Sequence, residues 1–94
     1  MAVAVIQSKV KDVAVWKPLF DGNEPLRRKH GGTGHRVLRM AADPTGLVVM
    51  IEFGTVEGAR AFIVDPLLRE VMQRAGVEGM PQMWVCEEVE AKTY

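Results

Sequence analysis

The sequence lacks the features of a disulfide-rich, membrane-spanning or nucleic-acid-binding protein. Its 94 residues contain one cysteine, Cys86, which cannot form an internal disulfide. Lys and Arg number 12 together, as do Asp and Glu, so no net charge attracts nucleic acid or an anionic membrane. No apolar run approaches the roughly 18 residues of a membrane span, and residues 1–10 carry no basic leader. We expect a cytoplasmic protein without nucleic-acid or membrane partners.

Residues that bind metals and cofactors are also scarce. Two histidines, His30 and His35, and one cysteine occur at no recognised metal-ligand spacing. The acidic residues at positions 87, 88 and 90 are typical of a solvated strand end, and either histidine would be the lone imidazole available to a haem. Cys86 has no neighbouring base and fits a small buried side chain better than a nucleophile. We expect no metal and no cofactor.

The sequence does contain 48% apolar residues, and their spacing follows two periods. Alternation predicts strands over residues 2–10, 33–42, 46–53 and 82–89. Apolar residues three or four apart predict helices over residues 12–30 and 55–75, with Asp12 and Thr55 as N-caps. Pro18 and Asn23 leave open whether the first helix is bent or divided in two, and Asp65-Pro66 restarts the second. The order predicts one α+β domain over residues 1–94, an antiparallel sheet with helices on one face.

The run Asp43-Pro44-Thr45-Gly46 has the composition of a type I turn and predicts a hairpin between the second and third strands. We prefer the register that puts apolar residues of both strands on one face. That face would hold Leu38, Met40 and Ala42 with Leu47, Val49 and Ile51. The opposite face would bring His35 and Arg39 near Glu52, where unlike charges attract. A bulge at Gly46 would shift the pairing by one residue and exchange the faces.

A mixed-polarity sheet face in a small protein must be covered, and its side chains are our candidates for a site. The candidate catalytic residues are His35, a general base near neutral pH, and Arg39, which could hold a carboxylate or stabilise an enolate. The candidate substrate-binding residues are Trp16, Met50, Glu52 and Trp84. Tryptophans could stack on an aromatic substrate. Alternatively, these residues pair across a dimer interface or lie at solvated strand edges.

The basic run at residues 27–30 precedes Gly31-Gly32-Thr33-Gly34, which invites comparison with a phosphate-binding loop. Phosphate loops lead from a strand into a helix N-terminus, whereas this run leaves a helix and enters a strand. Cations at a helix C-terminus complement the helix dipole, and glycines there end the helix. We therefore expect a solvated helix end rather than a phosphate site.

The element order resembles that of the small ferredoxin-like proteins of the dimeric α+β barrel superfamily. Trp16, the strand ending in Glu52-Phe53, the run EGARAF at 57–62 and the run DPLLREVMQRAGV at 65–77 carry the resemblance, which covers residues 2–89. The chain is similar to the branch that includes antibiotic-biosynthesis-monooxygenase-like and cyclase-like domains. The resemblance implies a ferredoxin-like βαββαβ fold and a homodimer whose sheets pack face to face. It also implies a small ligand between each sheet and its helices or in the barrel interior.

Two functions follow as hypotheses. The first is a homodimeric, cofactor-independent monooxygenase or isomerase/cyclase that acts on a small aromatic or polyketide-like molecule. The second is a non-catalytic homodimer that binds a metabolite or serves in assembly. The position of His35 separates them: enclosure with Arg39 and Glu52 favours catalysis, whereas exposure favours the second hypothesis. Resemblance in fold alone does not decide between them.

Overall fold

In a computed structural model that describes residues 1–94, the chain forms four strands and four helices. The strands are β1 (Ala2–Val10), β2 (Gly32–Met40), β3 (Asp43–Phe53) and β4 (Val77–Glu87). The helices are α1 (Val13–Gly22), α2 (Glu24–Lys29), α3 (Val56–Ile63) and α4 (Pro66–Arg74). All strand pairs are antiparallel, in the order β2-β3-β1-β4, and the helices cover one face. The predicted ferredoxin-like α+β fold is confirmed. None of the helices has the length and apolar character needed to cross a membrane.

The helices begin where the sequence predicts capping residues. The side chain of Asp12 accepts a hydrogen bond from the Ala14 amide at 2.9 Å, and Thr55 Oγ1 accepts one from the Gly58 amide at 3.0 Å. Asp65 Oδ1 does the same for Leu67 at 2.9 Å. Each bond satisfies one of the amides that a helix start leaves unpaired. The first helical region is divided, although α1 continues through Pro18 and the break falls at Asn23, which is the C-cap of α1 and the N-cap of α2.

The core lies between the sheet and the helices and contains 15 buried apolar residues. Alternate side chains of β1 and β3 supply its sheet side, and the aromatic residues of the helices supply much of the rest. The largest fully buried side chains are Phe53, Phe62, Leu47, Ile51 and Val10. The Phe53 and Phe62 rings lie 5.3 Å apart between centroids, which joins β3 to α3. This layer fixes which side of each strand faces the helices.

The preferred hairpin register is wrong. His35 pairs with Ile51 and Arg39 pairs with Leu47, so both polar residues lie on the helix-covered face. The chain reverses at residues 41–42 instead of within the predicted turn. Asp43 Oδ1 accepts hydrogen bonds from the Thr45 amide at 3.1 Å and the Thr45 hydroxyl at 2.8 Å, an Asx turn within β3. The register shift after Arg39 absorbs the extra residues as a bulge.

Strand β4 begins at Val77, five residues before the predicted start, and ends at Glu87. Glu78–Pro81, expected to be a connection, therefore lies within the strand. Gly79 has φ of 66°, and the pairing with β1 shifts between Gln7 and Lys9, so the segment is irregular enough to admit glycine and proline. Pro81 is tolerated because β4 is an edge strand of the sheet.

The end of α2 packs against the starts of α3 and α4. His30 Nε2 lies 2.8 Å from Asp65 Oδ2, and both side chains are largely buried. A Cβ atom at Gly58 would overlap the carbonyl oxygen of His30, so glycine permits this close approach. The hydrogen bond with His30, followed by the Leu67 amide, lowers the pKa of Asp65 below its ordinary value of 3.8. The Asp65 carboxylate therefore both caps α4 and binds the end of α2 through His30.

Replacing Asp65 by asparagine is expected to make the free energy of unfolding depend less on pH in the acidic range. A carboxyl group with a lowered pKa in the folded state stabilises the fold above its unfolded pKa, and this contribution is lost as pH falls through the folded value. Asp65→Asn should therefore be less stable than the parent near neutral pH, and the difference should shrink as pH falls below 3.8 towards the lowered pKa of Asp65 in the folded protein. Urea unfolding across this range measures it. Asp12→Asn is the matched control, because Asp12 caps a helix without a histidine partner. Equal pH dependence of the two variants would contradict the role of His30.

Candidate functional site

A small cavity lies between the sheet and helices α1, α3 and α4, and we call it the inner cavity. Its volume is about 40 Å³, and 11 of its 14 lining residues are apolar, among them Trp16, Phe20 and Phe62. Trp16 and Phe20 follow each other by one helical turn, so both rings face the core, stacked with centroids 4.7 Å apart. Amphipathic spacing in α1 therefore builds an aromatic wall.

The protein's own side chains fill most of this space. A water molecule occupies about 30 Å³ in the liquid, whereas a cavity that binds benzene has a volume of about 150 Å³. The inner cavity, at about 40 Å³, holds a group of roughly one non-hydrogen atom as it stands. A ring-sized ligand reaches this position only if Trp16 or Phe20 changes rotamer.

Arg27 lies beside the aromatic wall and is the one buried charged residue, with 4% of its surface exposed. Its Nη1 donates a hydrogen bond to the Phe20 carbonyl oxygen at 2.8 Å. Its Cζ lies 4.0 Å from the centroid of the Phe20 ring, a cation–π distance. Burial lowers the pKa of the Arg27 guanidinium, and Glu24 and Asp21 oppose that shift. Since arginine retains its proton in proteins, a positive charge lies at the edge of the apolar core.

A second cavity of about 340 Å³ opens on the other side of Arg27, and we call it the outer pocket. Its lining residues are Glu24, Arg27, Arg28, Gly32, Thr33, Gly34, His35 and Ile51. Arg27 and Ile51 also line the inner cavity, so the two spaces share a wall. A Cβ atom at Gly32 would lie 2.7 Å from the Arg27 carbonyl oxygen, so glycine allows β2 to start directly against α2. The outer pocket occupies the space beside this contact.

Charged and aromatic groups surround the outer pocket. Arg28 Nε donates to Glu24 Oε2 at 2.8 Å, and this hydrogen bond is the main reason that the pKa of Glu24 is lowered. The His35 ring meets the Phe20 ring edge-on, with centroids 4.9 Å apart. His35 remains exposed to solvent. A ligand in the outer pocket would therefore contact the His35 imidazole, the Arg27 side chain and Ile51, which is the one apolar residue of the lining.

The chain resembles solved structures in fold. No protein-family model and no curated protein matches it. SnoaB, a cofactor-independent oxygenase from Streptomyces nogalater, superposes with a TM-score of 0.75 at 13% identity, over 96% of this chain and 94% of its own. The monooxygenase from the ActVA-Orf6 gene of Streptomyces coelicolor, solved with nanaomycin D, has a TM-score of 0.69 at 19% identity, over 99% and 91%. The chain has the antibiotic biosynthesis monooxygenase-like fold.

The same monooxygenase-like fold occurs in a Nitrosomonas europaea protein of unknown function, with a TM-score of 0.70 at 18% identity over 99% of this chain and 93% of that one. The family resemblance predicted from the sequence is confirmed at the level of fold. Identities this low establish architecture, and the chemistry must be argued from this chain's own residues.

The monooxygenase-like fold divides the predicted site residues between the two faces of the sheet. His35 lines the outer pocket and Trp16 lines the inner cavity. Arg39 shares the face of His35 but lies four residues along β2, about 13 Å away, and lines neither space. Those three residues are on the helix-covered side. The expected grouping of His35 with Glu52 is wrong, because the hairpin register places Glu52 on the other face.

The remaining candidates lie on the sheet face that no helix covers, which we call the open face. Val5 of β1 pairs with Met50 on one side and Trp84 on the other, so these three side chains form a row there. Trp84 is 46% exposed and lines neither the inner cavity nor the outer pocket. Cys86 is also exposed, and the expectation that it is buried is wrong for the single chain.

Sequence reasoning missed Arg27, which it treated as part of a solvated basic run. The only local sign of its burial is that Arg27 follows Leu26, which faces the core. Neighbouring residues of a helix point about 100° apart. That places Arg27 at the border of the buried face rather than outside it. Helix α2 has six residues, too few for periodicity to resolve such a border. Across the whole chain, no group of three or more His, Cys, Asp or Glu side chains is arranged to hold a metal ion.

Proposed function

We propose that this protein is a homodimer that binds a small aromatic or polyketide-like molecule and oxidises it with O2 without a cofactor. The observation that carries the proposal is that His35 and Arg27 both line the outer pocket and both contact the Phe20 ring. Two structural neighbours with this fold are a cofactor-independent oxygenase and a monooxygenase. The free thiol of Cys86 suits a reducing compartment, and we place the protein in the cytoplasm.

The chemistry requires a base and a cation close to an acidic carbon of the substrate. In the proposed reaction His35 removes a proton from that carbon, and Arg27 stabilises the resulting enolate oxygen. The electron-rich carbanion transfers electrons to O2, so the substrate itself is the reductant. A CH2 group and one O2 give a carbonyl group and one water, which balances atoms and electrons. The same proton removal without O2 consumption would make the protein an isomerase or cyclase.

The alternative is a binding protein without catalytic activity, and two observations favour it. The inner cavity is filled by the protein's own side chains, and its volume of about 40 Å³ cannot enclose a ring. His35 is exposed, whereas bases that work in a dry site are enclosed. Under this alternative the outer pocket, of about 340 Å³, binds a metabolite that is released unchanged.

The homodimer proposal rests on the open face. Its central side chains, including Val3, Val5, Val48 and Met50, are apolar and only half-buried in one chain, and Leu38 and Trp84 are 48% and 46% exposed. An apolar sheet face of this kind favours association. A second copy related by a twofold axis would cover it sheet to sheet, as the dimeric α+β barrel resemblance implies. Such an interface would fall in the standard range of about 1,200–2,000 Å².

Oxygen uptake separates the enzyme from the binding protein. The purified protein is incubated with a hydroxyanthrone as the electron-rich probe, and O2 consumption is followed with an electrode, with and without a metal chelator. Uptake above the uncatalysed rate that survives the chelator, with the quinone as product, supports the proposal. Binding of the anthrone by NMR titration without uptake supports the alternative. If the anthrone neither binds nor causes O2 uptake, the enzyme proposal and the binding-protein alternative are both contradicted.

A further inference from the structure

Arg27 is a buried cation without a counter-ion. It is 96% removed from solvent, and no carboxylate oxygen lies within 4.0 Å of its guanidinium. The two acidic residues that influence it through space are already paired elsewhere. Glu24 binds Arg28 at 2.8 Å, and Asp21 binds Lys17 at 2.7 Å. Burying a charge without a partner is costly, so the site is electrostatically incomplete as it stands.

The guanidinium also has donors to spare. A guanidinium has five N–H groups. In Arg27 only the Nη1 atom donates a hydrogen bond within the protein, to the Phe20 carbonyl oxygen. Every side-chain nitrogen or oxygen that is fully buried has a hydrogen-bond partner. Nε and Nη2 of Arg27 have no partner, so they remain in contact with solvent. Arg27 lines both the inner cavity and the outer pocket, and of these two spaces only the outer pocket, at about 340 Å³, has room for a ligand that could accept from these donors.

We infer that Arg27 binds the acidic group of the ligand, so that the outer pocket selects aromatic compounds with a carboxylate or another oxyanion over neutral analogues. A planar guanidinium matches a carboxylate with two parallel hydrogen bonds. The aromatic part of the ligand would lie against Ile51 and the His35 ring, which the Phe20 ring contacts edge-on. This inference rests on the small-molecule binding proposed above and adds the charge of the ligand. The competing explanation is that Arg27 is structural, holding the Phe20 carbonyl at the end of α1.

The test compares three probes of similar shape, namely benzoate, phenyl phosphate and neutral benzamide, by calorimetric and NMR titration. A charge-assisted hydrogen bond predicts that benzoate binds about 10- to 100-fold more tightly than benzamide. Arg27→Gln should remove that preference, and Arg27→Lys should keep part of it. Arg60→Gln is the control, because it deletes an exposed arginine of α3 that lines neither space. Tighter binding of phenyl phosphate than benzoate would identify a phosphate site rather than a carboxylate site.

A measurement on the unaltered protein covers the case in which Arg27→Gln does not fold. The Nε–H resonance of Arg27 should shift on addition of benzoate but not of benzamide. Equal binding of benzoate and benzamide, or an unmoved Arg27 resonance, would overturn the inference while leaving small-molecule binding intact. If none of the three probes binds, the inference and the proposed aromatic ligand fail together. Charge-selective binding without O2 consumption would support the inference and favour the non-catalytic alternative.

Discussion

Replacing Val5 by glutamate is expected to convert the proposed homodimer into a monomer. Val5 lies at the centre of the open face, between Met50 and Trp84, and a twofold axis through this face would bring two such carboxylates together. An unpaired charge buried in an interface costs about 3–5 kcal/mol, which corresponds to a dimer weaker by a factor of roughly 10² to 4 × 10³. Sedimentation equilibrium across a range of protein concentrations measures the change.

Val15→Glu is the matched control for this experiment. Val15 lies on α1, on the helical side of the molecule, and is 55% exposed, so the same substitution there should leave the dimer intact. Circular dichroism of both variants checks that the fold is retained. A dimer that persists in Val5→Glu would show that the open face is not the interface, and a parent protein that is monomeric at micromolar concentration would contradict the homodimer itself.

The parts of the fold that local chemistry decides were predictable from the sequence. Asp12, Thr55 and Asp65 each cap a helix as expected, because a cap depends on a side chain and an amide two or three residues away. The element order followed from the change between the two hydrophobic periods, and it was sufficient for the architecture.

The hairpin register was not predictable, because two local patterns competed. Residues 43–46 have the composition of a type I turn, yet Asp43 bonds Thr45 in an Asx turn inside a bulged strand. Strand side chains alternate, so a shift of one residue moves every side chain to the other face. This single error separated His35 and Arg39 from Glu52 and Met50, because the actual pairing puts the first two on the helix-covered face and the other two on the open face. The sequence identified the candidate residues, but which of them share a face of the sheet depends on how the strands pair.

Arg27 illustrates a different limit. Its burial depends on contacts from other elements: the carbonyl oxygen at position 20 of α1 and the ring of the same residue. A basic run at a helix end is normally solvated, and the position of Arg27 next to Leu26 is too weak a sign to separate it from Arg28, which is exposed. Buried charges arise from tertiary packing, so a search by sequence pattern passes over them. Perturbed groups of this kind in a cleft are candidates for a functional site.

Replacing His35 by glutamine is expected to slow O2 consumption by about 10²- to 10⁴-fold, the range typical of general-base catalysis. Glutamine keeps a polar side chain at the outer pocket but cannot accept and hold a proton at neutral pH. Ligand affinity should fall much less than the rate, because the proposed charged contact is made by Arg27 and glutamine keeps a side chain of similar size at position 35 of the lining. Initial rates of O2 uptake and NMR titration of the same probe, on the same preparations, separate the two effects.

Replacing Arg39 by glutamine tests which arginine stabilises the anion. The sequence suggested Arg39, whereas the geometry favours Arg27. If Arg39 stabilises the anion, as the sequence suggested, its loss should lower the rate as strongly as the loss of His35. The geometry predicts otherwise, because Arg39 is about 13 Å from His35 along β2 and borders neither the inner cavity nor the outer pocket. A large effect of Arg39→Gln together with a small effect of His35→Gln would move the reaction to the other end of the strand. Full activity in both variants would contradict both assignments, that of His35 as the base and that of Arg39 as the anion-stabilising group.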